Sequence, residues 1–186
     1  MIGGVPGIPI VSVVTFLPLA GALLLVFLRG DSVRAARLAA LSVSLLTFGL
    51  SLILFFGFDG GSGLPEFAER ASWLGRGIDY HVGVDGISLF LVLLTAFLTP
   101  LALLSSWRAV ADRVKEFSFF MLVLETGLIG VFVSLNLFLF YVFWEAMLVP
   151  MYFLIGIWGG KRRIYATMKF VLFTMFGSLL MLVAIL

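Results

Sequence analysis

The sequence predicts an all-α integral membrane protein, a polytopic bundle of about six transmembrane helices. Hydrophobic residues make up 62% of the 186 residues and charged residues only 12%, and the mean hydropathy is +1.22. Such a chain has too few polar side chains to cover a water-soluble surface. A second observation is the length of the apolar runs, because a helix needs roughly 20 apolar residues to cross a bilayer.

The apolar runs that predict the spans lie at residues 8–28, 38–57, 87–107, 117–135, 137–158 and 164–186. The fourth and fifth runs are nearly continuous, but one straight helix over both would overshoot a bilayer about twofold. The chain is therefore predicted to reverse near Ser134, Leu135 and Asn136. Asp85 is predicted to cap the N-terminus of the third helix.

The basic residues alternate between the two sides of the predicted bundle. The segments after the first, third and fifth runs hold nine Lys and Arg residues, whereas the opposite side holds two Arg and several acids. Positive residues are enriched on the cytoplasmic side of membrane proteins. The N-terminus is therefore predicted to face outward, with an outer loop at about residues 58–86. The nine basic residues are Arg29, Arg34, Arg37, Arg108, Arg113, Lys115, Lys161, Arg162 and Arg163.

Composition also excludes several kinds of chemistry. The absence of Cys excludes disulfides, thiolate metal sites and cysteine-ligated iron–sulfur clusters, and His81 is the single histidine. The pI is 9.2, and the basic residues that raise it flank apolar runs, where they can contact lipid headgroups. No nucleic-acid partner is predicted. No phosphate-binding glycine loop or nucleophile triad is present.

Glu145 is the most informative of the three ionisable residues inside the runs. It lies eight residues into its run, about 12 Å deep, which is too deep for its short side chain to reach the interface. A charge inside the membrane costs at least a few kcal/mol, so a proton-relay or ion-pathway residue is predicted. The alternative is a neutral carboxyl that hydrogen-bonds a neighbouring helix.

Glu125 and Lys169 are the other two ionisable residues in the runs. Glu125 lies eight residues into a run of opposite direction, so the two acids can share one polar layer if their helices pack side by side. Lys169 is five residues into the sixth run, about 8 Å from the basic flank. It either extends its side chain to the interface or faces inward as a proton donor.

The last apolar run ends at Leu186 without a polar flank. A hydrophobic span that ends this way is unusual for an intact membrane protein. We therefore expect the sequence to be the N-terminal part of a longer protein.

Two segments carry a resemblance to a known family. VDGISLFLVLLTAFLTPL and FYVFWEAMLVPMYFLIGIWGG resemble the subunit M (chain 4) family of bacterial NADH:quinone oxidoreductase, respiratory complex I. The resemblance is dense over residues 72–186 and extends over the first two runs only by pattern.

The resemblance implies an antiporter-like fold with two inverted five-helix repeats. Residues 1–115 would then hold three N-terminal helices and the outer loop, and residues 116–186 would begin the first repeat, with helices four to six. It implies a proton pathway built on a Glu of the fifth span, which Glu145 matches, and on a Lys of the seventh span, which lies beyond Leu186. Lys169 matches a Lys-Phe position of the family.

The resemblance also implies partners and a location. The chain is expected to be multi-pass in the bacterial inner (cell) membrane, with the other membrane-arm subunits, the lipid bilayer and protons as partners. It is expected to bind no cofactor, since NADH, flavin, iron–sulfur clusters and quinone would belong to other subunits. Two alternatives stay open: a subunit of a related sodium/proton antiporter or membrane-bound hydrogenase, and a purely structural membrane subunit.

Overall fold

The computed structural model describes residues 9–27, 33–61, 64–75 and 78–185. Six helices in this part are long and apolar enough to cross a membrane, which confirms the predicted bundle. The elements in chain order are α1 (Ile10–Phe27), α2 (Val33–Gly57), β1 (Glu66–Gly75), β2 (Ile78–Val84), α3 (Gly86–Ala109), α4 (Val114–Val133), α5 (Leu137–Trp158) and α6 (Arg163–Ile185).

The chain reverses between α4 and α5 at the predicted place. Residues 134–136 separate the two helices. Asn136 caps α5, with its side-chain oxygen accepting from the backbone N–H of Phe138 at 2.8 Å. The hydroxyl of Ser134 donates to the carbonyl of Gly130 at 2.6 Å. Both ends of the turn therefore have partners for backbone groups that a helix leaves free.

The segment predicted as an outer loop contains an antiparallel hairpin, in which β1 pairs with β2. The sequence analysis did not predict these strands, because strand pairing depends on partners that the hydropathy of a single segment does not show. The six helices remain the main architecture, and the hairpin is added at one end. We call this end the hairpin side and the other end, with the basic segments, the basic side.

The hairpin connects several helix ends on the hairpin side. The carboxylate of Glu69 accepts from the backbone N–H of Val11 at 2.7 Å and of Ser12 at 3.1 Å, and also from the Ser12 hydroxyl. The Ser12 hydroxyl lies 2.7 Å from the hydroxyl of Tyr80. A carboxylate at a helix N-terminus satisfies free N–H groups and is favoured by the helix dipole. Burial raises the pKa of Tyr80.

Two further contacts complete this end of the bundle. The buried carboxylate of Glu66 accepts from the backbone N–H of Asp59 at 3.0 Å and of Gly60 at 2.9 Å. The backbone N–H of Leu135, in the α4–α5 turn, donates to the carbonyl of His81 at 2.9 Å. The hairpin therefore holds α1, the end of α2 and the α4–α5 turn together.

The cap of α3 is confirmed at Asp85. Its side chain accepts from the backbone N–H of Ser88 at 2.7 Å and of Ile87 at 2.9 Å, and the Ser88 hydroxyl accepts from the Asp85 N–H at 2.8 Å. This reciprocal pair is a capping box. The hydrogen bond from the Ser88 backbone is the main cause that holds the pKa of Asp85 below its usual value.

The basic side is held by cationic and indole side chains. The Arg37 guanidinium donates to the carbonyl of Val110 at 2.7 Å and lies 5.4 Å from the centre of the Trp107 ring. The Trp158 indole donates to the carbonyl of Asp112 at 3.0 Å. These contacts fix the α3–α4 segment against α2 and α5. The outward orientation of the N-terminus stays a prediction from the basic residues.

Helix α4 is central to the bundle because it packs against α1, α2, α3 and α5. Its Ile129 belongs to an apolar cluster on the hairpin side, and its Leu122 belongs to a second cluster on the basic side. The boundary predicted between residues 115 and 116 therefore does not coincide with a gap in packing. It rests on the resemblance and stays a prediction.

We expect Glu69→Ala to lower the free energy of unfolding by about 1–2 kcal/mol, because the first turn of α1 loses a charged cap. Glu116→Ala is the matched control, since the Glu116 side chain is 46% exposed and forms a 3.4 Å pair with Arg113 of a kind that is worth little. Denaturant unfolding of the purified chain in detergent micelles measures both values. Equal losses for the two variants would contradict the capping role.

Candidate functional site

Glu145 lies near the middle of α5, eight residues after Leu137 and so about 12 Å from the start of the helix. Its side chain is half-buried. One carboxylate oxygen, Oε1, is buried and has no hydrogen-bond partner among the described residues. The residue predicted to be the main proton carrier therefore lies at mid-membrane depth with an acceptor position open.

The contact between α4 and α5 fixes the direction in which Glu145 points. A methyl group added at Gly127 would lie 2.9 Å from the Cβ of Met147, and one at Gly130 would overlap the ring of Phe143. With 3.6 residues per turn, Glu145 lies about 180° around α5 from the mean direction of these two contacts. Glu145 therefore points away from α4.

Glu145 instead lies on the side of α5 that faces α6. Gly156 of α5 packs against Thr167 of α6, with an added Cβ 3.5 Å from the Thr167 hydroxyl. This antiparallel register places Ser178 of α6 level with Glu145. Tyr141 lies one turn before Glu145 on the same face of α5, and its side chain lies near both Glu145 and Ser178.

Tyr141 and Ser178 were not predicted from the sequence. Ser178 is only 4% exposed, and its hydroxyl donates to the carbonyl of Met175 at 3.0 Å. A spacing of four residues places side chains on the same face of a helix, so the Tyr141–Glu145 pair was visible in the sequence. The placement of Ser178 was not, because it depends on the α5–α6 register.

Glu125 occupies a different environment. It is 1% exposed, and neither of its carboxylate oxygens has a hydrogen-bond partner in the part of the chain that the structure describes. It lies about 170° around α4 from the mean direction of Gly127 and Gly130. Glu125 therefore faces α1, α2 and α3 and not α5.

Glu125 belongs to a layer of buried polar residues that crosses the bundle between the two apolar clusters. Along each of the first four helices, buried polar residues lie between the two apolar clusters. The hydroxyls of the first three helices donate to carbonyls of their own helix, as Thr47 does to Val43 at 3.0 Å and Thr95 to Leu91 at 2.8 Å. Their oxygens keep lone pairs that can accept. The layer consists of Thr15, Ser44, Thr47, Ser51, Thr95, Thr99, Glu125 and Thr126.

The two acids do not meet across the α4–α5 contact. The helices pack side by side as expected, and the register places Glu145 level with residues 128–129, about 5 Å along the axis from Glu125. The side chains nevertheless lie on opposite faces of the helix pair. The shared layer that the sequence suggested is replaced by two separate polar environments.

Lys169 lies apart from both acids. It is exposed and lies about 200° around α6 from buried Thr167, on the face away from α5. It lines an open cleft of about 570 Å³ together with Arg162, Tyr165, Ala166, Phe170 and Phe173. Within the described part, the structure therefore does not bring Lys169 to Glu145.

The described residues also contain no group of three His, Asp or Glu side chains that could hold a metal ion.

Comparison with known families identifies the chain. A family described as "NADH-ubiquinone oxidoreductase chain 4, amino terminus" matches residues 14–131, which is more than half of the chain. The chain belongs to this family. A second family, "NADH:quinone oxidoreductase/Mrp antiporter, TM", matches residues 134–186 of the same chain. The resemblance found from the two motifs is thereby confirmed.

Curated members of the chain 4 family agree. The NADH-quinone oxidoreductase subunit M of Rhodobacter capsulatus is 51% identical over 179 residues, which cover 94% of this chain and 35% of the relative. The NADH-ubiquinone oxidoreductase chain 4 of Arabidopsis thaliana is 43% identical over 171 residues, 91% of this chain and 34% of the relative. The chain thus spans about a third of the length of these relatives.

Two solved structures share the fold. A membrane-bound sulfane sulfur reductase described as an archaeal respiratory membrane complex superposes with a TM-score of 0.81 at 21% identity, covering 95% of this chain and 36% of its own. The Mrp complex from Dietzia sp. DQ12-45-1b superposes with a TM-score of 0.74 at 16% identity, and the match covers 94% of this chain and 18% of the Mrp chain. The bundle therefore has the fold of antiporter-like membrane complexes.

We expect Gly130→Ala to destabilise the chain by about 1–3 kcal/mol, because the methyl group overlaps Phe143 in a close helix contact. Gly177→Ala is the matched control on α6, where an added Cβ meets nothing within 4 Å; it should be neutral or slightly stabilising. Thermal unfolding of both variants in detergent micelles measures the difference. A Gly130→Ala variant as stable as Gly177→Ala would contradict the close contact.

Proposed function

We propose that the protein to which this chain belongs is a proton-translocating membrane subunit of NADH:quinone oxidoreductase. The supporting observation is Glu145, which lies at mid-membrane depth against α6 with one oxygen that has no partner among the described residues. The 51% identity to a subunit M favours this complex over the antiporter and sulfur reductase complexes, which share the fold at 16–21% identity. The site is proposed to be in a bacterial cell membrane among other membrane-arm subunits.

The proposed chemistry is proton transfer without covalent change. Glu145 takes up and releases a proton, and an ion pair with a lysine of a later helix stabilises its charged form. Rearrangement elsewhere in the complex breaks this pair and favours the neutral form, which requires an element with two discrete states. NADH, flavin, iron–sulfur and quinone chemistry is assigned to other subunits, so this chain would carry no redox group.

Glu125 is proposed as a second proton-holding group, whereas the surroundings of Lys169 favour the alternative in which its side chain extends to the interface. An unpaired carboxyl in a bundle interior costs roughly 1–3 kcal/mol of stability. A residue kept at this cost is a candidate for a functional role. Lys169, by contrast, lies beside Arg162 in an open cleft, where its side chain can extend toward the basic side. Its predicted role as a proton donor stays a prediction.

We expect Glu145→Gln in the intact complex to lower proton translocation per electron at least about tenfold, because an amide of the same shape cannot carry the proton. Glu116→Gln, which changes a partly exposed acid in the first turn of α4, is the matched control. Proton translocation and quinone reductase activity are measured on the same membrane vesicles. Full translocation in both Glu145→Gln and Glu145→Ala would remove Glu145 from the pathway.

A purely structural role for Glu125 predicts a different outcome from a proton-holding role. We expect Glu125→Leu to raise the thermal stability of the complex, since it removes an unpaired buried group, and at the same time to lower proton translocation. Thr126→Val is the control, because Thr126 is the adjacent unpaired buried side chain and cannot carry the proton. Unchanged translocation in Glu125→Leu would make Glu125 a packing residue.

A further inference from the structure

The open cleft on α6 combines two cations with an apolar and aromatic surface. We call it the α6 cleft, and its lining is Arg162, Tyr165, Ala166, Lys169, Phe170 and Phe173. Arg162 immediately precedes α6, and its carbonyl accepts from the backbone N–H of Ala166 at 3.0 Å. The whole cleft is therefore formed by the beginning of one helix, at the basic side of the bundle.

Arg162 and Lys169 lie on the same face of α6. They are seven residues apart, which is about two turns, or roughly 10 Å along the axis. Ala166 lies between them, and its small side chain leaves the space between the two cations open. Because the Cα–Cβ bonds of a helix tilt toward its N-terminus, the long side chain of Lys169 leans toward Arg162 and the basic side.

Neither cation has a counter-charge within the described part of the chain. The salt bridges formed by the described residues join other side chains. The Arg162 guanidinium lies 5.9 Å from the centre of the Tyr165 ring, a contact that orients the cation without neutralising it. The adjacent Arg163 differs, since it donates to the carbonyl of Ile157 at 2.6 Å. The α6 cleft thus holds two positive charges that an anion would complement.

The same face of α6 continues into the membrane as an apolar surface. Phe173, Phe176 and Leu180 follow Lys169 at spacings of three and four residues, so they lie on its face of the helix. They are 80%, 72% and 63% exposed. Among the described elements, α6 packs only against α5, and this face points away from α5. The face is therefore charged at the membrane surface and apolar below it.

We propose that the α6 cleft binds an anionic phospholipid. The phosphate lies between Arg162 and Lys169, which donate charge-assisted hydrogen bonds to its oxygens. The acyl chains lie along Phe173 and Phe176. The positive end of the α6 dipole also favours a negative group at this level. This site is independent of the proposed role of Glu145, because it uses the opposite face of α6 and involves no proton transfer.

Charge and position favour this ligand over two others. A zwitterionic phospholipid has the same phosphate, but it adds a cation beside the two that are already present. An acidic side chain on a neighbouring helix could also pair with Lys169. The two cations lie at the level of the basic segments, however, where lipid headgroups are found, and the face below them offers an apolar surface of the kind that acyl chains contact.

The test compares two photoreactive lipids on the intact complex in lipid nanodiscs. One probe is a phosphatidylglycerol with a diazirine on an acyl chain, and the other is the phosphatidylcholine with the same chains. Peptide mass spectrometry after illumination locates the label. We expect the phosphatidylglycerol probe to label residues 170–180 at least about fivefold more than the phosphatidylcholine probe, because each basic residue near the surface favours an anionic lipid.

Single variants then assign the site to the two cations. Lys169→Gln and Arg162→Gln should each lower labelling by the phosphatidylglycerol probe about fivefold and leave labelling by the phosphatidylcholine probe unchanged. Lys169→Arg keeps the charge and should keep the label. Lys161→Gln is the matched control, since it removes the same charge from the same segment but Lys161 does not line the cleft. If Lys169→Gln does not assemble, Arg162→Gln carries the test.

Three results would overturn the proposal. Equal labelling by the two probes would mean that this face meets lipid without selecting its charge. The absence of label from residues 170–180 with both probes would mean that another helix covers the cleft. Equal losses in Lys161→Gln and in the cleft variants that assemble would mean that the net charge of the segment, and not the cleft, attracts the lipid.

Discussion

The close approach of α4 and α5 at Gly127 and Gly130 determines where both membrane acids point. Small residues allow two helix backbones to come near each other, and the contact fills one face of each helix. Glu125 and Glu145 must then occupy the opposite faces. Glu125 therefore faces α1, α2 and α3, and Glu145 faces α6.

The hairpin and the helix ends around it support this arrangement. Glu69 holds the first turn of α1, and the backbone of His81 accepts from Leu135 at the turn between α4 and α5. Because the turn is fixed, the antiparallel register of the two helices is fixed as well. The position of Glu145 along the membrane normal therefore depends partly on contacts outside the hydrocarbon region.

The sequence predicted the helices well and their faces poorly. Length and hydropathy determined the six spans, the reversal near Asn136 and the cap at Asp85, because these depend on local composition and on bilayer thickness. Membrane helices are apolar on nearly all sides, so the pattern of residues does not show which face is buried. The separation of Glu125 from Glu145 and the placement of Ser178 level with Glu145 arise from packing between helices. The hairpin was missed because its pairing links residues of two strands.

The polar layer between the two apolar clusters has a consequence for biogenesis. In α1, α2 and α3, each buried hydroxyl of the layer is satisfied by a carbonyl of its own helix, so these helices can enter the lipid with those groups already paired. Helix α4 differs, since Glu125 and Thr126 have no such internal acceptor or donor in the described chain. Its entry into the bilayer is therefore energetically more demanding than that of the three preceding helices, whose polar layer can receive it.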